Sequence, residues 1–235
     1  MGKLGKMDKV GGGVKLHHNV VGTLREMELW ENRFVNCCLF GEEQGILFKK
    51  DKMYPVDVEE YARVCNTTRG KAYTSLLEII RKLKETTFDI KLLDGSIYVT
   101  SLVYDYIYKE DSKTILVNWN SKFIPLISGH MEAGKFMILD QRITSISSNK
   151  RYLLYVLIEK NLWKLNKQDA FFLTKDEIRE MLNLADTEYS EFKSLHAKVI
   201  KPTLKDVYNK LGISLETSVR GNKVLFSFTK QIKEV

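Results

Sequence analysis

The histidines are the residues in this sequence best suited to bind a metal or to transfer protons. They are His17, His18, His130 and His196. An enzyme that nicks DNA with a bound metal needs two histidines separated by one apolar residue, together with a nucleophilic tyrosine. His17 and His18 are adjacent instead, and the other two are isolated in the sequence. We therefore interpret all four as ordinary surface or core residues and predict no metal site.

Other catalytic motifs are also missing from the sequence. The glycines at positions 11–13 lack the lysine and the helix that complete a phosphate-binding loop. The acidic pairs at 42–43 and 59–60 lie in charge-rich segments, where solvation explains them better than a metal-dependent nuclease does. The sequence thus predicts a protein that is not an enzyme and that uses no cofactor.

The cysteines and the hydropathy pattern indicate a cytoplasmic protein. Cys37, Cys38 and Cys65 are odd in number and two are adjacent, which fits neither a disulfide framework nor a zinc site. We expect them to be small buried residues in a reducing compartment. No apolar run approaches the roughly 20 residues that span a bilayer, and no signal peptide is visible, so no membrane contact is predicted.

The basic residues are the chemical feature that remains. Lysine and arginine number 37 against 30 acids, for a net charge of +7. Between residues 193 and 233 the chain has nine basic residues and two acidic ones, an excess equal to the charge of the whole protein. A concentration of this kind favours a polyanionic partner, with nucleic acid ahead of an anionic membrane.

The elements that carry these residues recur in the same order twice. Residues 57–60 and Thr174–Glu177 resemble capping boxes, and each begins a short helix. A longer helix follows in both cases, from Thr67 to Lys84 and from Glu188 to about Leu211, where it continues past Pro202 with a local bend. A β-hairpin comes next, with Asp94-Gly95 at its turn in the first unit. Short helix, long helix and hairpin are the order of a winged helix-turn-helix, so the predicted fold is α+β with two tandem winged helices.

The remaining segments complete the predicted domains. Residues 1–18 are Gly- and Lys-rich and are expected to form a flexible basic arm, and residues 23–40 are expected to form an apolar helix. A boundary near residues 129–135 separates an N-terminal winged-helix domain (19–130) from a C-terminal one (131–235). The segments that begin at Phe136 and Asn149 are expected to be leading helices of the second domain.

The second long helix and its hairpin are the predicted DNA-binding surface. In this architecture the second helix enters a major groove and the wing clamps the duplex. Lysines there would neutralise phosphates, while Ser, His and Asn side chains reach base edges. The predicted DNA-binding residues are Lys193, Ser194, His196, Ala197, Lys198, Lys201, Lys205, Arg220, Asn222 and Lys223, with Arg69 and Lys71 as accessory contacts in the first unit.

The first unit is predicted to contribute less to DNA recognition. Its wing, with Asp94 at the tip, is not basic. Its helix 24–39 and its aromatic strand Tyr98–Tyr108 are instead expected to supply a dimer contact.

Three segments of the chain resemble a known family. HHNVVGTLREMELWENRFVNCCL resembles the opening of the replication initiator (Rep) proteins of iteron-containing plasmids, and NKRYLLYVLIEKN resembles their S-x-R-L-Y-E-L-L stretch. The third match consists of Tyr189, Phe192-Lys193, 199–202 and Lys205–Asn209. The chain departs from the family pattern in having Arg-Tyr-Leu at 151–153 in place of Arg-Leu-Tyr, and Asp-Val at 206–207 in place of Glu-Ile.

The resemblance implies a protein that binds direct repeats in double-stranded origin DNA as a monomer and helps to open the duplex. It also implies recruitment of the host replicative helicase or initiator, and a dimer that represses the protein's own gene. A transcriptional repressor with the same fold and no replication role remains an alternative. Direct repeats of about 20 base pairs beside the gene would favour the initiator, and one inverted repeat would favour the repressor, because an operator's symmetry mirrors that of the bound protein.

Overall fold

The structure is a computed structural model of the whole chain. The structure describes residues 13–41, 52–91, 94–124, 136–140, 143–144, 146–166, 168–208, 211 and 213–228. Most of the predicted basic arm (1–12), the predicted domain boundary and the last seven residues lie outside these ranges.

The first unit contains four helices and six strands among its described residues. In chain order they are β1 (Gly13–His17), α1 (Val20–Glu26), α2 (Leu29–Gly41), β2 (Tyr54–Pro55), α3 (Val58–Val64), α4 (Arg69–Glu85), β3 (Phe88–Lys91), β4 (Ile97–Thr100), β5 (Val103–Lys109) and β6 (Thr114–Trp119). Asp57 caps α3 by accepting a hydrogen bond from the Glu60 N–H at 2.8 Å, and Thr68 caps α4. The helix predicted over 23–40 is divided in two at Met27, where the backbone is extended.

The second unit repeats the strand, short helix, long helix and hairpin of the first. Its elements are β7 (Phe136–Asp140), α5 (Asn149–Leu162), a 3₁₀ turn (Trp163–Asn166), β8 (Ala170–Thr174), α6 (Lys175–Met181), a helical run that we call α7 (Phe192–Leu195, His196–Ile200, Lys201–Thr203 and Leu204–Tyr208), β9 (Leu215–Arg220) and β10 (Lys223–Phe228). The predicted capping box is confirmed, because Thr174 and Glu177 satisfy each other's backbone N–H groups. The helix predicted from Glu188 begins instead at Phe192.

Both units have the same sheet topology. The strand before the short helix pairs with the last strand of the hairpin, which gives the order β2–β6–β5 in one unit and β8–β10–β9 in the other. The true wing of the first unit is therefore β5–β6, with its turn at residues 110–113. The prediction that this wing has Asp94 at its tip was wrong, because the hairpin around Asp94 is β3–β4, a separate sheet inserted between α4 and the wing.

Two further predictions for extended segments were wrong. The single aromatic strand expected at Tyr98–Tyr108 is two strands, β4 and β5, that belong to different sheets. The segment Phe136–Asp140 is a strand, not a helix, and it pairs antiparallel with β1 so that His17 faces Phe136. Residues 13–17 are therefore ordered in a strand with Leu16 buried, which corrects the expectation of a flexible arm for this part of residues 1–18.

Helix α5 is buried on all sides between the two units. Every residue from Tyr152 to Glu159 is buried, as expected for a helix that lacks a polar face. Hydrogen bonds from the first unit end on it or just before it. Asn36 Nδ2 donates to the Tyr152 hydroxyl at 3.1 Å, and an Arg33 N–H donates to the Ile146 carbonyl at 2.8 Å. The two units therefore share one hydrophobic core.

The helical run α7 continues through Pro202, as predicted. A proline within a helix lacks the N–H that the preceding turn would receive, and its ring crowds that turn. Wider π-helical turns, His196–Ile200 and Leu204–Tyr208, lie on both sides of a short α-helical segment that contains Pro202. Turns of this kind re-route backbone hydrogen bonds where the regular ladder is broken.

The short helices α3 and α6 end in the same way. Asn66 and Asn183 have φ of 50° and 53°, in the left-handed region. The N–H of the residue after each asparagine reaches back into the helix, from Thr67 to the Ala62 carbonyl and from Leu184 to the Arg179 carbonyl. This pattern is a Schellman motif with asparagine in the position that usually holds glycine.

These two asparagines lead to a stability prediction. A left-handed backbone costs an ordinary residue about 1–2 kcal/mol, and glycine avoids this cost. We expect Asn66→Ala and Asn183→Ala each to lower the free energy of unfolding by about 1 kcal/mol, and the matched glycine variants to stay within about 0.5 kcal/mol of the wild type. Urea denaturation measures both. Equal losses for alanine and glycine would show that the backbone conformation is not what selects asparagine.

Candidate nucleic-acid interface

One face of α7 is apolar and the opposite face is basic. Leu195, Val199, Ile200 and Tyr208 are buried against the core. The exposed face carries, at helical spacing, the predicted residues Lys193, Ala197, Lys198, Lys201 and Lys205. Ser194 is half-buried at the edge of this face. Five of the predicted contacts thus lie together on the solvent side of one helix, which we call the basic face.

The lysines of the basic face have no acidic partner among the described residues. Two acids close to them in sequence are paired elsewhere, Asp206 with Arg151 at 2.6 Å and Glu188 with Lys150. Both partners lie on α5, on the core side of α7. The segregation leaves four positive charges on the basic face uncompensated, and an uncompensated strip of this kind attracts a phosphate backbone.

The second wing places further cations beside the basic face. Strands β9 and β10 are joined by a two-residue turn, Gly221-Asn222, in which Gly221 has φ of 59°. Arg220 and Lys223 face each other at the base of the turn, and both side chains are exposed together with Asn222. The Lys223 Nζ lies 4.3 Å from the centre of the Phe172 ring, an exposed aromatic residue that the sequence did not single out. The basic face and the wing tip are therefore available together.

His196 joins α7 to the wing. Its Nε2 lies 3.1 Å from the Thr217 hydroxyl on β9, and the ring is half-buried. Burial, and secondarily the positive charge of Lys201, lower the pKa of His196 below its ordinary value of 6.5. A base contact by His196 stays a prediction, and in this structure the ring holds the helix against the hairpin.

The equivalent surface of the first unit is largely neutralised. On α4, Arg69 pairs with Glu59 at 3.6 Å and also donates a hydrogen bond to the Ser112 carbonyl of the wing turn. Lys82 and Lys84 pair with Glu31 and Asp105. Lys71 is exposed. Of the two predicted accessory residues, Lys71 presents its charge to solvent, whereas the guanidinium of Arg69 is shared with the protein.

The described residues contain neither a metal-ligand cluster nor a membrane-spanning helix. No group of three or more His, Cys, Asp or Glu side chains that could hold a metal occurs among the described residues. His17 is buried, and its Nδ1 accepts a hydrogen bond from the Asn19 N–H at 3.1 Å. None of the described helices is both long and apolar enough to cross a bilayer. The three cysteines are free thiols.

Two winged-helix units, one with a basic helix and wing, define a protein of the winged-helix class. Residues 14–140 match the family model described as "Initiator Replication protein, WH1", and residues 174–229 match the one described as "Initiator Rep protein, WH2". The chain therefore belongs to the initiator replication protein family, which confirms the resemblance seen in the sequence and the predicted pair of winged helices.

Two known proteins are similar to this chain. It is 25% identical over 201 residues to a replication initiation protein of Escherichia coli, which covers 81% of this chain and 60% of that protein's length. The fold is similar to that of the Pi initiator protein, solved in complex with iteron DNA, with a TM-score of 0.71 and 18% identity. That likeness covers 93% of this chain and 98% of the Pi chain.

The half-buried His196 leads to a pH prediction. Because its pKa is lowered on folding, the unfolded chain binds a proton more readily than the folded one, and stability declines as the pH falls below about 6.5. We expect His196→Gln, which keeps a hydrogen-bonding group for Thr217, to lose less unfolding free energy than the wild type between pH 7.5 and 5.5. The pKa of His17 is lowered too, but that group is unchanged in both proteins. Identical losses in urea titrations at the two pH values would contradict this assignment.

Proposed function

We propose that this chain initiates replication of a plasmid by binding repeated sites (iterons) in double-stranded origin DNA. The observation that supports the proposal most directly is the basic face of α7 beside the exposed wing residues Arg220, Asn222 and Lys223. Membership of the initiator family supports the biological role. The Pi initiator, which has a similar fold, was solved on iteron DNA, and this supports the class of site.

The two parts of this interface are proposed to have different tasks. Lys193 and Lys198 lie in the first turns of α7, where a helix that enters the major groove contacts base edges. A lysine can donate to guanine O6 and N7, which distinguishes base pairs. Lys205, Arg220 and Lys223 lie farther along the helix or on the wing, where phosphate contacts fix orientation without selecting sequence. Ser194, Ala197, Lys201 and Asn222 complete the proposed contact.

We also propose the later steps of initiation, on the basis of what membership of this family implies. Bound protein promotes opening of the origin and recruits the host helicase or initiator, and a dimeric form represses the protein's own gene. The chain acts without nuclease or ATPase activity of its own. The N-terminal unit (19–130) serves dimerisation and accessory DNA contacts, through Lys71 and Arg69, and the C-terminal unit (131–235) supplies most of the sequence recognition.

The main test is a paired titration of alanine variants on specific and scrambled duplexes. The specific probe is the non-coding DNA beside the gene, narrowed to the segment that the wild type protects from cleavage. We expect Lys193→Ala and Lys198→Ala to cost about 1–3 kcal/mol on the specific duplex and much less on the scrambled one. Lys205→Ala, Arg220→Ala and Lys223→Ala should weaken both alike and lower the salt slope by about 0.9 per contact.

The control for this titration is Lys71→Ala, an exposed lysine near the start of α4, the helix that corresponds to α7. It should change the specific-to-scrambled ratio less than Lys198→Ala does. If neither Lys193→Ala nor Lys198→Ala changed that ratio, α7 would be rejected as the helix that recognises sequence, and α4 would replace it.

The dimer contact is proposed to lie on β4 and β5. The sequence suggested two features for this contact, the helix 24–39 and the strand Tyr98–Tyr108. Most of that helix is α2, which is largely buried in the core, so only the strands remain available. Both strands display large apolar side chains to solvent, among them Ile97 (62% exposed), Val99 (59%) and Tyr104 (66%). Within the described residues each strand pairs on one side only, β4 with β3 and β5 with β6. An exposed apolar strand with a free edge is a surface that pairs with another strand.

We therefore expect Ile97→Lys with Val99→Lys to weaken dimerisation of the full chain by at least about tenfold, since each 1.4 kcal/mol is one decade in the dissociation constant. Sedimentation equilibrium over a concentration series measures this. Phe172→Ser is the control, because Phe172 is an exposed apolar residue of the second unit. A dimer that survives the double variant, or that is lost with Phe172→Ser, would place the contact elsewhere.

A further inference from the structure

The turn before α7 is longer than its counterpart in the first unit. Helix α4 begins three positions after the left-handed Asn66, whereas α7 begins nine positions after the equivalent Asn183. We call residues 184–191 the long turn. It lies between the short helix α6 and the basic face, so its conformation decides where α7 starts. A turn without regular structure needs other contacts to hold it, since ordering each residue costs conformational entropy.

Cations on α6 bind the carbonyl groups of the long turn. One terminal nitrogen of Arg179 donates to the carbonyls of Glu188 at 2.7 Å and Tyr189 at 3.2 Å, and the other donates to Ala185 at 2.6 Å. Lys175, one helical turn earlier on the same side of α6, donates from Nζ to the Ser190 carbonyl at 3.2 Å. Four carbonyls of the long turn are thus held by two side chains.

The backbone of the long turn is strained at Tyr189. Its φ is 48°, a conformation that a bulky residue adopts only where its surroundings impose it. The Tyr189 carbonyl is held by Arg179, and its ring lies under the Lys150 ammonium at 5.3 Å. Lys150 also pairs with the Glu188 carboxylate, and this interaction lowers the pKa of Glu188 below its usual range. Two cations, Arg179 and Lys150, therefore hold the successive residues Glu188 and Tyr189.

The start of α6 also holds the wing. The backbone N–H of Lys175 donates to the Asn222 carbonyl at 2.7 Å, within the two-residue turn of the wing. The same residue therefore binds the wing turn through its backbone and the long turn through its side chain. These are the segments that lead into the two proposed DNA-contacting elements, so α6 links the position of α7 to that of the wing.

The first unit has neither the long turn nor the cations. Counting back from the left-handed asparagines, Ala62 of α3 corresponds to Arg179, and Val58 corresponds to Lys175. Both residues are buried and apolar. The two cations therefore occur together with the long turn, and their counterparts are core residues where the turn is short.

From this arrangement we propose that Arg179 and Lys175 are positioning residues for sequence recognition. They fix the start of α7 relative to the wing and do not bind DNA themselves. The inference rests on the proposed function, since it assumes that α7 recognises the base sequence. Hydrogen bonds to base edges tolerate only small errors in distance and angle, whereas attraction to phosphates does not depend on such alignment. Loosening the long turn should therefore reduce discrimination and leave non-specific affinity intact.

The test uses Arg179→Lys, which keeps the charge but loses the fork that reaches three carbonyls. Full-length protein is titrated on the protected segment beside the gene and on its scrambled version at several salt concentrations, with thermal unfolding measured in parallel. We expect at least a fivefold loss of affinity for the specific duplex, with the scrambled affinity and both salt slopes unchanged. Lys175→Met should act in the same direction, because it removes the bond to Ser190 and leaves the backbone bond to Asn222.

Other outcomes would overturn the proposal. A direct phosphate contact would leave Arg179→Lys close to the wild type and would make Arg179→Gln lower the salt slope on both duplexes. A merely structural role would lower the unfolding temperature and keep the specific-to-scrambled ratio. Arg63→Lys on α3 is the matched control, because Arg63 is exposed and pairs with Glu60 of its own helix.

The same experiment separates this inference from the proposed function. If the wild type binds the specific and scrambled duplexes equally, the proposed function fails and the inference fails with it. If the wild type discriminates and Lys198→Ala loses discrimination while Arg179→Lys does not, only the positioning role is rejected.

Discussion

The burial of α5 is the interaction on which the rest of the structure depends. A helix whose residues from Tyr152 to Glu159 are all removed from water has to be covered on every side. Helix α1 of the first unit covers one side, and α7 of the second covers another, where the Tyr155 and Tyr208 rings meet at 5.7 Å. The two winged helices therefore pack on a common support, and a shift of α5 would move both.

Helix α5 also affects the charge of the surface around α7, because cations at its start pair with acids there. Lys150 and Arg151 at the start of α5 pair with Glu188, in the turn before α7, and with Asp206, on α7 itself. These two acids are thus bound to α5, and the lysines of the basic face keep their charge. In the first unit the pairing is reversed, since Lys82 and Lys84 of α4 are themselves paired with Glu31 and Asp105. In the described part of the chain, one architecture therefore produces one long helix whose exposed lysines lack acidic partners and another on which three of the five cations are paired with acids.

Much of this arrangement was predictable because it is set locally. The capping residues Asp57 and Thr174 satisfy N–H groups a few positions away, so the starts of α3 and α6 are visible in the sequence. The hairpin at Asp94-Gly95 is also local, and it exists. Whether it is the wing depends on which strand pairs with β2, and that is a tertiary property. The first wing was misplaced for this reason.

The other errors have the same origin. Phe136–Asp140 is a short apolar run, and such a run fits a buried helix and a buried strand equally well until its partner β1 is known. The start of α7 was placed too early because the turn at Tyr189 is held by Arg179 and Lys150 from other helices. His196 has helical spacing with the lysines, and only its contact with Thr217 shows that its ring joins the wing. The exposure of Lys193, Lys198, Lys201 and Lys205, by contrast, followed from periodicity alone.

The pairing of β1 with β7 has a consequence for how the chain folds during synthesis. Gly13 pairs with Asp140 and His17 with Phe136, so β1 is made before α1 and its partner β7 only after the first unit's wing. Contacts between residues so far apart in sequence form slowly, because a long loop has to close first. On the ribosome, β1 leaves the exit tunnel long before β7, and its edge stays without this partner while α1 to α4 and both hairpins are made. The β1–β7 sheet is completed only when the chain has been synthesised almost to the start of α5.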